Sequence, residues 1–218
     1  MKTFLSIGTG PGIGQATAER FAQEGFRIIV SARSTEKTNA LAENLKQKGY
    51  QAEARTVDAS DPANVAALID AVEKQYGSIE VLHYNAASLR QATITDQPQN
   101  TLVSDLAVNI GGALAATQAA AKHMTQKKAG TILLTGGGFA FAPSPDYLSL
   151  SIGKAGIRAL AQGLFETFKS QDVHIATVTV ATFVTPNSQE ALDVGDQFWQ
   201  LHSQSKDSWT AEIIFPSN

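Results

Sequence analysis

Residues 8–14 read G-T-G-P-G-I-G, with Gly8, Gly12 and Gly14 in a G-x-x-x-G-x-G pattern between an apolar run and a helical one. Glycines accept positive φ and let a pyrophosphate come close to the backbone. A helix opening near Ile13 adds free N–H groups and the positive end of its dipole, which suit phosphate oxygens. The spacing departs from the common G-x-G-x-x-G, and a glycine-rich loop is also compatible with a tight turn that binds nothing. The position between the first strand and the first helix favours the phosphate site.

A second candidate follows the next apolar run, in S-A-R-S-T-E at residues 31–36. A free ribose 2′-hydroxyl usually meets an acidic side chain here, and this chain has none before Glu36. Arg33, between Ser31 and Ser34, offers charge-assisted hydrogen bonds to a 2′-phosphate. The expectation is NADP (NADPH) rather than NAD; a solvated surface arginine is the plain alternative.

Such residues need a scaffold, and the hydrophobic pattern supplies one. Strand-like runs fall at residues 3–7, 27–30, 52–57, 79–83, 131–135, 173–180 and 212–215. Helical spacing covers 13–24, 35–48, 62–76, 98–127, 148–170 and 188–202. Asp61 and Pro62 are a cap and a first helical residue, and Gly77 ends that helix. The alternation predicts an α/β fold: a single doubly wound parallel sheet of the Rossmann type with helices on both faces, over residues 1–218. Ligands of such sheets bind beyond the carboxyl ends of the strands, so the loops after the strands are where function is expected.

Composition narrows the classes. The chain has 218 residues, 43% hydrophobic and 17% charged, which suits one domain with a sizeable core. A formal charge of −3 gives no basic stripe for nucleic acid or an anionic membrane. There is no cysteine, so disulfide and thiol chemistry are excluded. His83, His123, His174 and His202 are scattered without metal-ligand spacing, so no metal is expected. The chain starts on the strand-like T-F-L-S-I and has no long apolar run, so neither a signal peptide nor a membrane span is expected, and a cytoplasmic location is.

Several stretches together resemble the short-chain dehydrogenase/reductase family. They are the glycine loop, V-D-A-S-D at 57–61, Y-N-A-A at 84–87, V-N-I-G-G at 108–112 and G-K-A-G-I-R-A-L at 153–160, in order over nearly the whole chain. The resemblance implies that Asp58 and Ala59 meet the adenine end of the cofactor. It implies that Asn85 and Ala86 border the adenosine ribose, and that Lys154 hydrogen-bonds the nicotinamide ribose. Asn109 would kink its helix and help hold a water chain to that lysine. A homodimer or homotetramer through the two long helices is implied too, with alanine-rich faces at 113–121 and 155–164 that pack either on a second copy or on the sheet. A variable substrate lid is implied over 187–208, which contains Phe198, Trp199 and His202.

The same resemblance exposes a departure. Hydride-transferring members carry Y-x-x-x-K on one helix, where the lysine lowers the pKa of the phenol so that it exchanges a proton with the substrate oxygen. Residues 148–154 read L-S-L-S-I-G-K, so Leu150 stands where the phenol belongs. The substrate-orienting serine aligns with Gly137. After the sixth strand the usual Pro-Gly becomes Ala181-Thr182, where Thr182 or Thr185 is a candidate for the carboxamide. Tyr147 is a substitute donor or an aromatic lining the pocket; along a helix it would lie about 10 Å from Lys154. Ser151, three residues before the lysine, is a short-reach donor or a helix-start serine. Phe139, Phe141 and Phe183 make the substrate side apolar, or belong to the core. The expected function is an NADP-dependent oxidoreductase on a small carbonyl or alcohol with a non-standard active site; the alternative is an NADP-binding protein without turnover.

Overall fold

Apolar runs bounded by glycines and polar caps become the strands of one parallel sheet in the computed structural model, which describes residues 1–216. In chain order the elements are β1 (Thr3–Ile7), α1 (Ile13–Gln23), β2 (Arg27–Ala32), α2 (Thr35–Gln47), β3 (Ala52–Thr56), α3 (Pro62–Tyr76) and β4 (Val81–Tyr84). Then come α4 (Gln99–Leu106), α5 (Gly112–Lys127), β5 (Thr131–Thr135), α6 (Leu148–Lys169), β6 (His174–Val180), α7 (Gln189–Ser203) and β7 (Glu212–Phe215). The strand order is β3-β2-β1-β4-β5-β6-β7, and every pairing is parallel. The order reverses between β1 and β4, which makes the crevice at their carboxyl ends the switch point where such sheets bind ligands.

Alternate residues of the strands feed two cores. Leu5, Ile7, Leu82 and Leu134 pack with Ala116 and Ile157 on the side of α3, α5 and α6. Phe4, Val30, Leu133 and Val178 pack with Phe21 and Phe198 on the side of α1, α2 and α7. Burial on both faces explains why these strands read as continuous apolar runs. The α3 cap forms as expected: Asp61 Oδ1 accepts from the N–H of Ala63 at 2.9 Å and of Asn64 at 3.3 Å.

Two expectations about elements change. The helical run over 98–127 is interrupted by a π-helical turn at Ala107–Gly111. The Tyr84 hydroxyl donates to the carbonyl of Val108 at 2.6 Å, and a β-carbon on Gly112 would lie 2.2 Å from the Ala59 carbonyl oxygen. The helix approaches the ends of β3 and β4 so closely that its ladder widens there by one residue. That turn carries Asn109, the residue to which the resemblance assigns a kink.

The second change concerns 187–208. Helix α7 is a core helix that packs along α1: Val194, Phe198 and Leu201 are fully buried. Trp199 meets Phe21 edge-on at 5.3 Å between ring centroids. His202 Nδ1 lies 2.9 Å from Thr131 Oγ1, at the amino end of β5 and so on the far side of the sheet from the switch point. The part of the chain that borders the switch point on this side is the short loop 181–188 ahead of α7. Among the described residues no helix is long and apolar enough to cross a membrane.

Candidate cofactor and active site

The loop after β1 is tied down from both sides. The N–H groups of Gly8 and Thr9 both donate to the Ser31 carbonyl of β2, at 2.8 and 2.9 Å. Gly8 has φ +81, and a β-carbon there would lie 2.3 Å from Ala86 Cα, so glycine is required twice over. The first α-helical bond of α1 runs from Ala16 N to the Gly12 carbonyl at 3.1 Å, after a turn bond from Gln15 N to the Gly10 carbonyl at 2.9 Å, which leaves the N–H groups of Ile13 and Gly14 ahead of the ladder. Gly10 and Gly12 behave differently from Gly8. A β-carbon on Gly10 would meet nothing within 4 Å, and one on Gly12 only Pro186 N at 4.0 Å. The protein alone has room for side chains at both, so the open cradle above these glycines fits a pyrophosphate.

Around the loop stand the other expected cofactor contacts. Arg33 is exposed, and among the described residues its guanidinium has no hydrogen bond or ion pair. Asp58 is exposed as well. Its Oδ1 accepts from Ser60 Oγ at 2.7 Å and Ser60 N at 2.9 Å, and these bonds, with a smaller contribution from the charge of Arg33, hold its carboxyl below the usual range. Ala59 is buried beneath it. Asn85 Nδ2 donates to the Gly8 carbonyl at 2.9 Å, so this side chain holds the loop, and Ala86 is the residue packed against Gly8.

At the carboxyl ends of β4, β5 and β6 opens a cleft of about 790 Å³. Ile13 and Asn85 border it at the glycine-loop end, and Lys154, Leu150 and Gly137 border it at the other. Carbon dominates the rest of the wall: Phe139, Phe141, Val180 and Phe183. Thr182 lines it too, whereas Thr185 is exposed outside it.

Lys154 Nζ donates to the Thr135 carbonyl at 2.7 Å, and burial lowers its pKa to about 8. Four residues earlier on α6, Leu150 is 5% exposed and turns hydrocarbon to the cleft. Gly137 is extended (φ −165, ψ 150). Asn109 is buried behind α6: its Oδ1 accepts from Ser88 N at 2.6 Å, and its Nδ2 donates to the carbonyls of Ser88 at 3.3 Å and Ser149 at 3.4 Å.

The two substitute donors lie elsewhere. Ser151 is 1% exposed; its hydroxyl donates to the Tyr147 carbonyl at 2.9 Å and accepts from Ser144 N at 3.1 Å, so it fastens the start of α6. The Tyr147 ring stacks on Phe139 at 5.6 Å, and Tyr147 is not among the residues that line the cleft. Sequence reasoning missed Thr135, whose carbonyl anchors Lys154 while its hydroxyl donates to Asn85 Oδ1 at 2.9 Å. The Asn85 contact depends on β4 and β5 being neighbours and the Lys154 contact on α6 packing against β5, neither of which anything local announces.

A parallel sheet of this order, with a glycine loop at its switch point, defines a Rossmann-type α/β domain. The chain belongs to the short chain dehydrogenase family, whose model matches residues 2–194. It is 27% identical over 204 residues to a glucose 1-dehydrogenase of Gluconobacter oxydans (strain 621H), across 93% of this chain and 77% of that protein. A short-chain dehydrogenase from Rhodopseudomonas palustris superposes with a TM-score of 0.90 at 24% identity, over 100% of this chain and 99% of the other. A metagenomic short-chain oxidoreductase crystallised in complex with NADP superposes with a TM-score of 0.90 at 23% identity, over 98% and 95%.

Proposed function

We propose that the chain is an NADP-dependent oxidoreductase of the short-chain type, acting on an apolar carbonyl or alcohol through a non-standard active site. One observation carries this reading: the glycine loop and the Lys154 ammonium open onto the same cleft, whose remaining wall is mostly carbon. The NADP in the metagenomic relative supports the choice of cofactor, as does an arginine at position 33 where a ribose-binding acid would otherwise stand.

In this reading the N–H groups of Ile13 and Gly14 and the open backbone at Gly12 hold the pyrophosphate, Gly8 shapes the turn that presents them, and Arg33 pairs with the 2′-phosphate. Asp58 and Ala59 border the adenine, Asn85 and Ala86 the adenosine ribose, Lys154 the nicotinamide ribose and Thr182 the carboxamide. Bound NADPH supplies the hydride. Phe139, Phe141 and Phe183 give the substrate side an apolar wall, and the proton reaches the substrate oxygen from water or from a group of the substrate, because position 150 is a leucine. Leu114, half exposed beside a shallow groove of about 390 Å³ between α5 and α6, supports a second copy packing on that face.

A second reading is favoured by Leu150 itself. With hydrocarbon in the phenol's place and no hydroxyl at 137, the same cleft serves a protein that binds NADP without turnover, as a sensor, a scaffold or an inactive partner subunit. NADPH titration followed by a turnover screen over carbonyls and alcohols separates the two. Binding with turnover supports the oxidoreductase, and binding with none over the whole panel supports the second reading. Absence of binding removes both.

A further inference from the structure

His83 interrupts the apolar run of β4, where it is fully buried between β1 and β5. A buried imidazole is costly unless both nitrogens are satisfied. Here both are: Nδ1 lies 3.3 Å from Ser6 Oγ on β1, and Nε2 lies 3.0 Å from Thr135 Oγ1 on β5.

The direction of every bond in this chain follows from one fixed acceptor. The Gly8 carbonyl only accepts, so the Asn85 group facing it is the amide nitrogen, and Asn85 Oδ1 faces Thr135. The single proton of the Thr135 hydroxyl therefore goes to Asn85. Toward His83 that hydroxyl can only accept, so His83 carries its proton on Nε2. Its Nδ1 is then the acceptor of the Ser6 hydroxyl. Burial and the nearby Lys154 charge push its pKa down to about 3, so the ring stays neutral at working pH and keeps this tautomer. No carboxylate takes part in the chain.

We infer that His83 is a positioning residue for the cofactor site: through Thr135 it fixes Asn85, hence the Gly8 loop, and steadies the strand end whose carbonyl holds Lys154. Ordered donors polarise one another, so the chain acts as a unit. The inference rests on the cofactor reading given above and adds to it a residue that touches no cofactor.

The test measures NADPH affinity and melting temperature on the full chain, for the wild type, His83→Leu, His83→Gln, Thr135→Val and the double variant His83→Leu/Thr135→Val. Phe4 and Phe198 pack against the ring, so leucine suits the space and His83→Leu is expected to fold, with a modest fall in melting temperature because the buried Ser6 hydroxyl loses its acceptor. Its NADPH affinity is expected to fall about tenfold, whereas His83→Gln, with an N–H near the place of Nε2, recovers most of the loss. Thr135→Val is expected to weaken binding at least as much, and adding His83→Leu to it costs little more, because the effect passes through Thr135. Wild-type affinity in His83→Leu overturns the inference and leaves the cofactor reading standing. Fully additive losses, or affinity losses that merely follow the melting temperatures and are not rescued by glutamine, overturn it too. A wild type that fails to bind NADPH overturns both.

Discussion

A β-carbon on Gly137 would stand 3.1 Å from Cγ of Lys154, and Leu150 lies one helical turn before that lysine on the same cleft wall. Positions 137 and 150 thus border the cleft beside the lysine side chain with no hydroxyl at either. The backbone at 137 is extended and accepts any residue, but a side chain there requires the lysine stem to give by a few tenths of an ångström.

Restoring both groups is the direct test of this vacancy of chemistry. Leu150→Tyr with Gly137→Ser should create or raise NADPH-dependent ketone reduction, within the roughly 10²–10⁴-fold range of a positioned proton donor. Leu150→Tyr alone should give less, since the substrate oxygen lacks its second hydrogen bond. Steady-state rates of the three proteins on one ketone panel decide it; a double variant no faster than wild type counts against the placement of the site.

Cofactor choice should follow Arg33. The wild type is expected to bind NADPH more tightly than NADH, and Arg33→Ala should shrink the gap by about 1–3 kcal/mol, the range of a charged hydrogen bond. Calorimetric titration with both nucleotides reads this directly. Equal affinities in the unmutated protein sink the assignment.

The loop glycines should separate into two kinds. Gly8→Ala is expected to lower the melting temperature, because its β-carbon would collide with Ala86 at a positive φ. Gly12→Val should leave the melting temperature near wild type, since nothing closer than Pro186 N at 4.0 Å meets its β-carbon, yet abolish NADPH binding. Retained binding in Gly12→Val would place the phosphates elsewhere.

Tyr147 is expected to be silent. Its ring stacks on Phe139 away from the cleft, so Tyr147→Phe should leave both NADPH affinity and any turnover unchanged, while Lys154→Ala reduces both. Loss of turnover in Tyr147→Phe would make the phenol a donor after all.

Stability should fall on mild acidification. Burial holds His83 near a pKa of about 3 and His202 near about 4, against 6.5 for a free side chain, and His174 is lowered as well. Between those values the unfolded chain binds more protons than the folded one, so stability is full above about pH 6.5 and declines as pH falls toward 4. Urea unfolding midpoints across that window should show the decline, and His202→Gln should flatten it. A midpoint independent of pH would contradict the burial of these rings.

How far the sequence carried this reading depends on how local each signal is. The strand runs, the Asp61 cap and the glycine loop are written in neighbouring residues, and each falls where the pattern puts it. Missing from any local window were the partners of Thr135 and His83, which meet only because β1, β4 and β5 lie side by side. The packing of α7 was hidden for a related reason: the resemblance marks 187–208 as a variable substrate lid, and only the fold brings Phe21 and Thr131, distant in sequence, against Trp199 and His202. The departure at Leu150 was visible at once, because helical spacing from Lys154 is itself local.

The eight residues between β6 and α7 have a kinetic consequence. A longer insertion at this point could fold over bound ligand and make its escape wait on an opening motion of microseconds to milliseconds. With Phe183 84% exposed at the rim and α7 committed to the core, nothing among the described residues covers the cleft. Ligand exchange is then set by contact strength and diffusion, and stopped-flow traces of NADPH binding should be single-phase, with an observed rate that rises linearly with concentration.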